Sequence, residues 1–209
     1  MQTGQDYLLI VEDDPDILKL LDATLTFKGY RVISAKNGKE GMEAIKVKRP
    51  AIVITDIMMP KLDGFGLVHR IRINPETRDI PVVFITATYV TREDQEFALN
   101  IGATRFIQKP VDLEKFLAMI AELMEQGLPA VIKPLNEVEF YNEYRNRLQA
   151  KLAEKTKQIT RDEHLLASET DKEDSALLAS LRQAIRERDE LMLLLDQIEE
   201  QLKKYTKSE

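Results

Sequence analysis

The acidic run Glu12-Asp13-Asp14, the lone carboxylate Asp56, the hydroxyl of Thr86 and the ammonium of Lys109 each stand where an apolar run gives way to turn residues. LLIV ends at Glu12, AIVIT at Asp56, PVVFIT at Thr86 and TRFIQ at Lys109. In an open parallel sheet the carboxyl ends of neighbouring strands converge on one crevice, so these positions would meet there. Clustered carboxylates repel one another unless a hard cation lies among them, and magnesium favours oxygen ligands while keeping several waters. The three carboxylates of Glu12, Asp13 and Asp56, with a hydroxyl and an ammonium in one pocket, suit the transfer of a phosphoryl group, whose charge must be neutralised as it moves.

Such a pocket requires a parallel sheet, and the pattern of residues 7–127 supplies one. Short apolar runs at 7–11, 31–35, 51–55, 82–86 and 105–107 alternate with amphipathic stretches at 15–28, 39–48, 64–73, 92–101 and 113–125. AIVIT and VVFIT are apolar on both faces, as expected of central strands covered by helices on each side. Five strand-helix units in about 120 residues predict a doubly wound α/β domain. Asp14 before Pro15 reads as an N-cap with proline at the first helical position. Asp112 is placed to cap the last helix, and Asp63-Gly64 to turn into the third. Gly29, Gly38 and Gly102 mark helix ends or turns.

Composition narrows the classes of function. The chain has 209 residues, 44% of them hydrophobic, which is enough for a core, and a net charge of -6 that disfavours broad attraction to nucleic acid or anionic membranes. It contains no cysteine, so thiolate metal sites and cysteine nucleophiles are excluded. The first residues lack a cationic stretch followed by a long apolar run, so a secretory leader is not expected; no apolar run approaches the roughly 20 residues of a membrane span, and the expected location is the cytoplasm. Glycine-rich phosphate loops are absent.

Beyond Gly127 the character changes. LPAVIKPLNE carries two prolines and reads as a linker or a short docking segment, the linker placed at 128–136, after which no strand pattern appears. Tyr141, Tyr144, Leu148 and Leu152 recur at helical spacing in a charged stretch that ends near SETDKED. There Thr170 and Glu173 fit a capping box for a second helix. That helix carries Leu177, Leu181, Ala184, Arg188, Leu191, Leu195, Ile198, Leu202 and Tyr205, alternately four and three residues apart. This is a heptad seam, and Leu178, Ile185, Met192 and Leu194 widen it toward a bundle. Residues 137–209 are therefore expected to form an all-α hairpin or coiled coil that pairs with a partner helix, within the chain or from a second copy.

With these residues in view, a family resemblance can be stated. VEDDPDI, TDIMMPKLDGF, FITAT and FIQKP, in this order and spacing, resemble the signature segments of receiver domains of two-component response regulators, over residues 7 to about 125. The resemblance implies a flavodoxin-like five-stranded parallel fold and a phosphorelay role. Asp56 would be the acceptor of a phosphoryl group from a phosphohistidine on a histidine kinase or phosphotransfer protein. Glu12, Asp13, Asp56 and the backbone carbonyl of Met58 would hold Mg2+. Lys109 would neutralise charge, with a cis bond to Pro110 aiming it inward, and Thr86 and Phe106 would serve as the switch pair. The family usually has aspartate where Glu12 stands and often tyrosine where Phe106 stands. Met58 and Thr88 would flank the pocket mouth.

Each piece also has a plainer reading. An acidic run after a strand is commonly a solvated turn or a helix cap, which suits Asp14 in any case. Asp56 could simply end a strand, Lys109 could be an ordinary surface lysine, and Phe106 a core aromatic. The ordered combination favours the receiver reading over these. His69 and His164 lack the surroundings of a phospho-accepting histidine and are expected to be structural or solvent-facing.

The domain is expected to act as a phosphoacceptor assisting its own Mg2+-dependent chemistry rather than as an enzyme on other substrates. Residues 128–209 have an acidic balance and no helix-turn-helix, so direct DNA binding is not expected. Two readings of the output remain. The helices could switch a homodimer or bind a downstream protein, or they could connect the receiver to a missing part of a larger sensor kinase or signalling enzyme.

Overall fold

A computed structural model describes residues 6–87, 91–126, 135–168 and 175–206. The chain divides into two compact units, residues 1–135 and 136–209. In the first, β1 (Tyr7–Val11), β2 (Arg31–Ala35), β3 (Ile52–Thr55), β4 (Val82–Thr86) and β5 (Arg105–Gln108) alternate with α1 (Pro15–Phe27), α2 (Gly38–Val47), α3 (Gly64–Ile73), α4 (Arg92–Asn100) and α5 (Leu113–Gln126). All strand pairs are parallel, in the order β2-β1-β3-β4-β5. The doubly wound sheet read from the sequence is therefore the fold.

The wholly apolar runs take the middle of the sheet. Every residue of β1, β3 and β4 is buried, because helices cover both faces. Period-two alternation sends Leu8, Ile10, Ile52, Ile54, Val83 and Ile85 to one face, where they pack with Leu21 and Leu25 of α1 and Phe116, Ile120 and Leu123 of α5.

Local chemistry fixes where the helices begin. Asp14 caps α1 by accepting from the N–H groups of Asp16 and Ile17 at 2.9 and 3.1 Å. Asn37 caps α2 through Glu40 N at 3.1 Å, and Asp63 caps α3 through Gly66 N at 2.8 Å. Thr91 and Asp94 form a reciprocal capping box at α4, and Asp112 accepts from the N–H groups of Glu114 and Lys115 at α5. Gly29 and Gly102 follow helices at φ 88° and 105°, the left-handed region that favours glycine. Gly38 departs from the expectation of a turn. It is the first residue of α2, because a Cβ there would stand 2.6 Å from the carbonyl oxygen of Leu62, so the helix can start at that point only without a side chain.

The second unit contains α6 (Glu137–Ser168) and α7 (Ser175–Thr206), which pack on each other as the expected helical hairpin. Ala184, Leu191, Ile198 and Leu202 of the heptad seam are buried. Tyr141 stacks on Tyr205 with ring centroids 6.0 Å apart, so the start of α6 lies beside the end of α7. Lys155 and Glu187 form an interhelical ion pair at 2.6 Å. Thr170, Glu173, Thr88 and most of the 128–136 linker lie outside the described residues. No described helix is long and apolar enough to cross a membrane.

Candidate functional site

The register of the sheet assembles the polar residues. Val11 pairs with Thr55, so Glu12 and Asp56, each one residue beyond its strand, emerge side by side. Their backbones stay tied to the sheet: Asp56 N donates to Val11 O at 2.9 Å and Glu12 N to Ala35 O at 3.0 Å. On the other side Thr86 pairs with Gln108, and Lys109 N donates to Thr86 O at 2.8 Å. The Lys109-Pro110 bond is cis, as the family resemblance implies.

Lys109 Nζ then reaches across β4 to Asp56 Oδ2 at 2.8 Å and Glu12 Oε2 at 2.9 Å. The second oxygen of Asp56, Oδ1, accepts from its neighbour's N–H, Ile57 N, at 2.6 Å. Glu12 is 2% exposed and Asp56 9%, whereas Asp13 faces solvent. Oxygens of the three carboxylates lie within 4.8 Å of one another.

This crowding shifts their proton affinities. Burial pushes the Glu12 carboxyl up from 4.5 to about 7, repulsion from Asp56 adds to it, and the bond to Lys109 offsets only part. Asp13, although its side chain opens to solvent, loses part of its hydration beside the cluster, and with repulsion from Asp56 this raises its carboxyl too. Burial works to lower the pKa of Lys109, but attraction to Asp56 and hydrogen bonds to Asp56 and Glu12 outweigh it and leave the ammonium above its ordinary value. The set is all oxygen, closely spaced and electrostatically strained, so it fits a small hard divalent cation that would relieve the repulsion.

The expected residues separate into those the structure brings together and those it places nearby. Glu12, Asp13, Asp56 and Lys109 form the cluster. Thr86 is fully buried at the end of β4, one strand from Asp56. Met58 lies two residues beyond Asp56 in the β3–α3 loop, half-buried. Phe106 is half-buried on β5 and meets Phe84 edge-on at 6.4 Å. Phe84 in turn meets Phe65, and Phe65 meets Phe97, at 5.3 and 5.0 Å. His69 is buried on α3, as a structural histidine would be.

Sequence reasoning placed Gly64 in the turn into α3 but missed its contact with the loop that carries Asp56. A Cβ on it would lie 2.2 Å from the Asp56 carbonyl oxygen and 2.9 Å from both Ile57 Cα and a Phe84 ring carbon. Gly64 N donates to Ile57 O at 2.8 Å, so α3 starts in direct contact with the loop that carries Asp56. The signal available was a glycine directly after an N-cap aspartate, where most helices carry a side chain.

A five-stranded 2-1-3-4-5 sheet with an acid-lysine cluster at its carboxyl edge defines a class, and comparison with known proteins agrees. Residues 8–121 match the response regulator receiver domain family, and the chain belongs to it. The chain is 32% identical over 127 residues to the "Probable transcriptional regulator ycf27" of Pyropia yezoensis, an alignment covering 61% of this chain and 51% of that protein. Among solved structures, it resembles a CheY-like response regulator receiver domain protein of Methanospirillum hungatei JF-1, with TM-score 0.54, 29% identity and coverage of 59% and 96%. It also resembles the receiver domain of a signal transduction histidine kinase from Syntrophus aciditrophicus, with TM-score 0.54, 31% identity and coverage of 57% and 90%. The chain spans about half the length of the first curated relatives it matches.

Proposed function

We propose that Asp56 accepts a phosphoryl group from the phosphohistidine of a kinase or phosphotransfer protein, and that the C-terminal helices carry the consequence to a helical dimer or protein partner. The observation that carries this reading is the placement of Lys109 Nζ 2.8 Å from Asp56 Oδ2 inside a trio of carboxylates. An oxygen of Asp56 attacks phosphorus, the P–N bond to histidine breaks, and an acyl phosphate forms. Lys109 offsets charge that accumulates on the transferring oxygens, a task suited to a compact ammonium on a flexible stem. The buried Thr86 hydroxyl is the donor to a phosphoryl oxygen, and Phe106 repacks against Phe84 as Thr86 moves. Glu12, Asp13, Asp56 and the Met58 carbonyl would hold Mg2+, which when bound supplies further charge neutralisation.

The protein acts in this reading as a phosphoacceptor assisting its own modification, not as an enzyme on other substrates. Its output is not direct DNA binding, because residues 137–206 have an acidic balance and are described only as two long helices. A second reading, that receiver and helices are part of a longer sensor kinase or signalling protein, is favoured by the partial coverage of the relatives and by likeness to a histidine kinase receiver.

The test is labelling with acetyl phosphate and Mg2+, followed by intact mass. The native chain should gain one phosphoryl group and Asp56→Asn none; an Asp56→Asn chain that labels as well as the native one sinks the assignment.

A further inference from the structure

The row of α7 that faces α6 contains Leu177, Ala184, Leu191 and Ile198, spaced by seven. One residue further on, a second row repeats at the same spacing: Leu178, Ile185, Met192 and Glu199. One residue is roughly 100° of helix, so the second row lies well around α7 from the first. The hairpin covers it only in part. Leu178 and Ile185 are half-buried, Met192 is 49% exposed, and Leu193 beside it is 64% exposed.

Charge along α7 indicates what covers this row. Residues 176–188 carry Arg182, Arg186 and Arg188 against the single acid Glu187, whereas residues 189–200 carry Asp189, Glu190, Asp196, Glu199 and Glu200 with no base. The sign reverses between Arg188 and Asp189, which is also the midpoint between Ile185 and Met192. A parallel copy of α7 would set arginines against arginines and carboxylates against carboxylates. An antiparallel copy centred on that midpoint sets Ile185 against Met192 and brings Arg182 within reach of Asp196 and Glu199 of the other chain, twice over by symmetry.

We propose that the hairpin self-associates through this row, α7 against an antiparallel α7 of a second copy, to form a four-helix bundle with its two-fold axis at Arg188-Asp189. The inference rests on the reading of the helices as a dimerising output and specifies its partner and orientation. Arg188 is bonded to Asp189 of its own chain at 2.7 Å, and at the axis the same groups can exchange partners between copies. Because α6 starts beside the end of α7, the two chains enter their hairpins at opposite ends of the bundle.

Charge swapping in the full chain, read by sedimentation, tests both pairing and direction. Arg182→Glu should weaken dimerisation by about tenfold, since two symmetric contacts turn repulsive, and adding Asp196→Lys should restore it. A parallel dimer would show neither the loss nor the rescue. The chain has no cysteine, so single cysteines report the axis directly. Asp189→Cys should oxidise to a disulfide-linked dimer. Leu178→Cys and Glu199→Cys, each about 30 Å from its own symmetry mate, should cross-link only when mixed. A native chain that stays monomeric at about 100 µM, a swap without rescue, or self-cross-linking at all three positions overturns the proposal. Acetyl phosphate labelling of the same samples reports separately on Asp56, so failure of the dimer and failure of the phosphoacceptor reading are distinguishable.

Discussion

Lys109 Nζ lies 2.8 Å from Asp56 Oδ2 and 2.9 Å from Glu12 Oε2, joining the end of β5 to the ends of β3 and β1, neither of which is its neighbour in the sheet. The ammonium therefore stands among the carboxylates that suit a divalent cation, and its removal has two opposite effects. Lys109→Gln should tighten Mg2+ binding by about tenfold or more: a unit charge about 4 Å away is worth about 4 kcal/mol at an effective dielectric of about 20, and about a third of that, left after screening by solvent, is already tenfold. The same change should slow labelling by about a hundredfold, the scale of losing one preorganised donor to a developing charge. Calorimetric titration with Mg2+ and time-resolved labelling give the two numbers. A loss of both affinity and labelling would mean that Lys109 holds the site together rather than neutralising transfer.

Glu12 makes the cation-free protein sensitive to pH. Its carboxyl is raised to about 7 in the fold against 4.5 ordinarily, so between those values the folded chain keeps a proton that the unfolded chain has released. That contribution to stability is fully present below 4.5 and is lost as pH rises through about 7. Asp14, lowered by bonds from the N–H groups of Ile17 and Asp16, acts in the opposite sense but below its ordinary 3.8, outside this window. Thermal melts in chelator should show stability falling from pH 5 to 7.5 in the native chain and a flatter profile in Glu12→Gln. Mg2+ at pH 7.5 should recover the loss in the native chain; an equal slope in both proteins would refute the role of Glu12.

Much of this site was legible because the chemistry sits one residue past strongly apolar strands. LLIV, AIVIT and PVVFIT could hardly be anything but buried strands, and strand ends in a parallel sheet point to one edge. The pairing of Lys109 with Glu12 was not legible, since it depends on the register of four strands over 97 residues of separation. Gly38 was read as a turn because a glycine before a helical run usually is one; only the approach of the Leu62 carbonyl explains why α2 begins there. The edge-on chain from Phe97 through Phe65 and Phe84 to Phe106 was hidden for the same reason. Its members come from two helices, α4 and α3, and two strands, β4 and β5, and no periodicity connects them.

Gly64 couples the third helix to the acceptor loop. A methyl group there would meet the Asp56 carbonyl oxygen at 2.2 Å and a Phe84 ring carbon at 2.9 Å, and both neighbours are held by the core. Gly64→Ala should cost about 2–3 kcal/mol, the scale of overpacking at a site that cannot relax. Displacing the loop should also slow Asp56 labelling. Gly66→Ala is the control: its Cβ would press on a Leu62 side-chain methyl at 2.7 Å, which can swing away. Equal losses of denaturation free energy in the two variants would show that the backbone contact of Gly64 is not the constraint.

In the hairpin an apolar contact and an ion pair compete for importance, and magnitudes decide between them. Leu191 is buried in the α6–α7 seam, so Leu191→Ala removes packed methyl groups and leaves a cavity, at about 2–4 kcal/mol. Lys155 and Glu187 approach to 2.6 Å, but both side chains are 23% exposed, and such pairs contribute about 1 kcal/mol or less. Helical melting followed by circular dichroism should therefore shift strongly in Leu191→Ala and slightly in Glu187→Gln, with the Glu187→Gln difference shrinking further at high salt. Labelling of Asp56 below the transition should be the same in both variants as in the native chain, since neither residue belongs to the receiver fold. If Glu187→Gln proves the more destabilising, the hairpin is held by its polar layer, and the heptad seam is not what pairs α6 with α7.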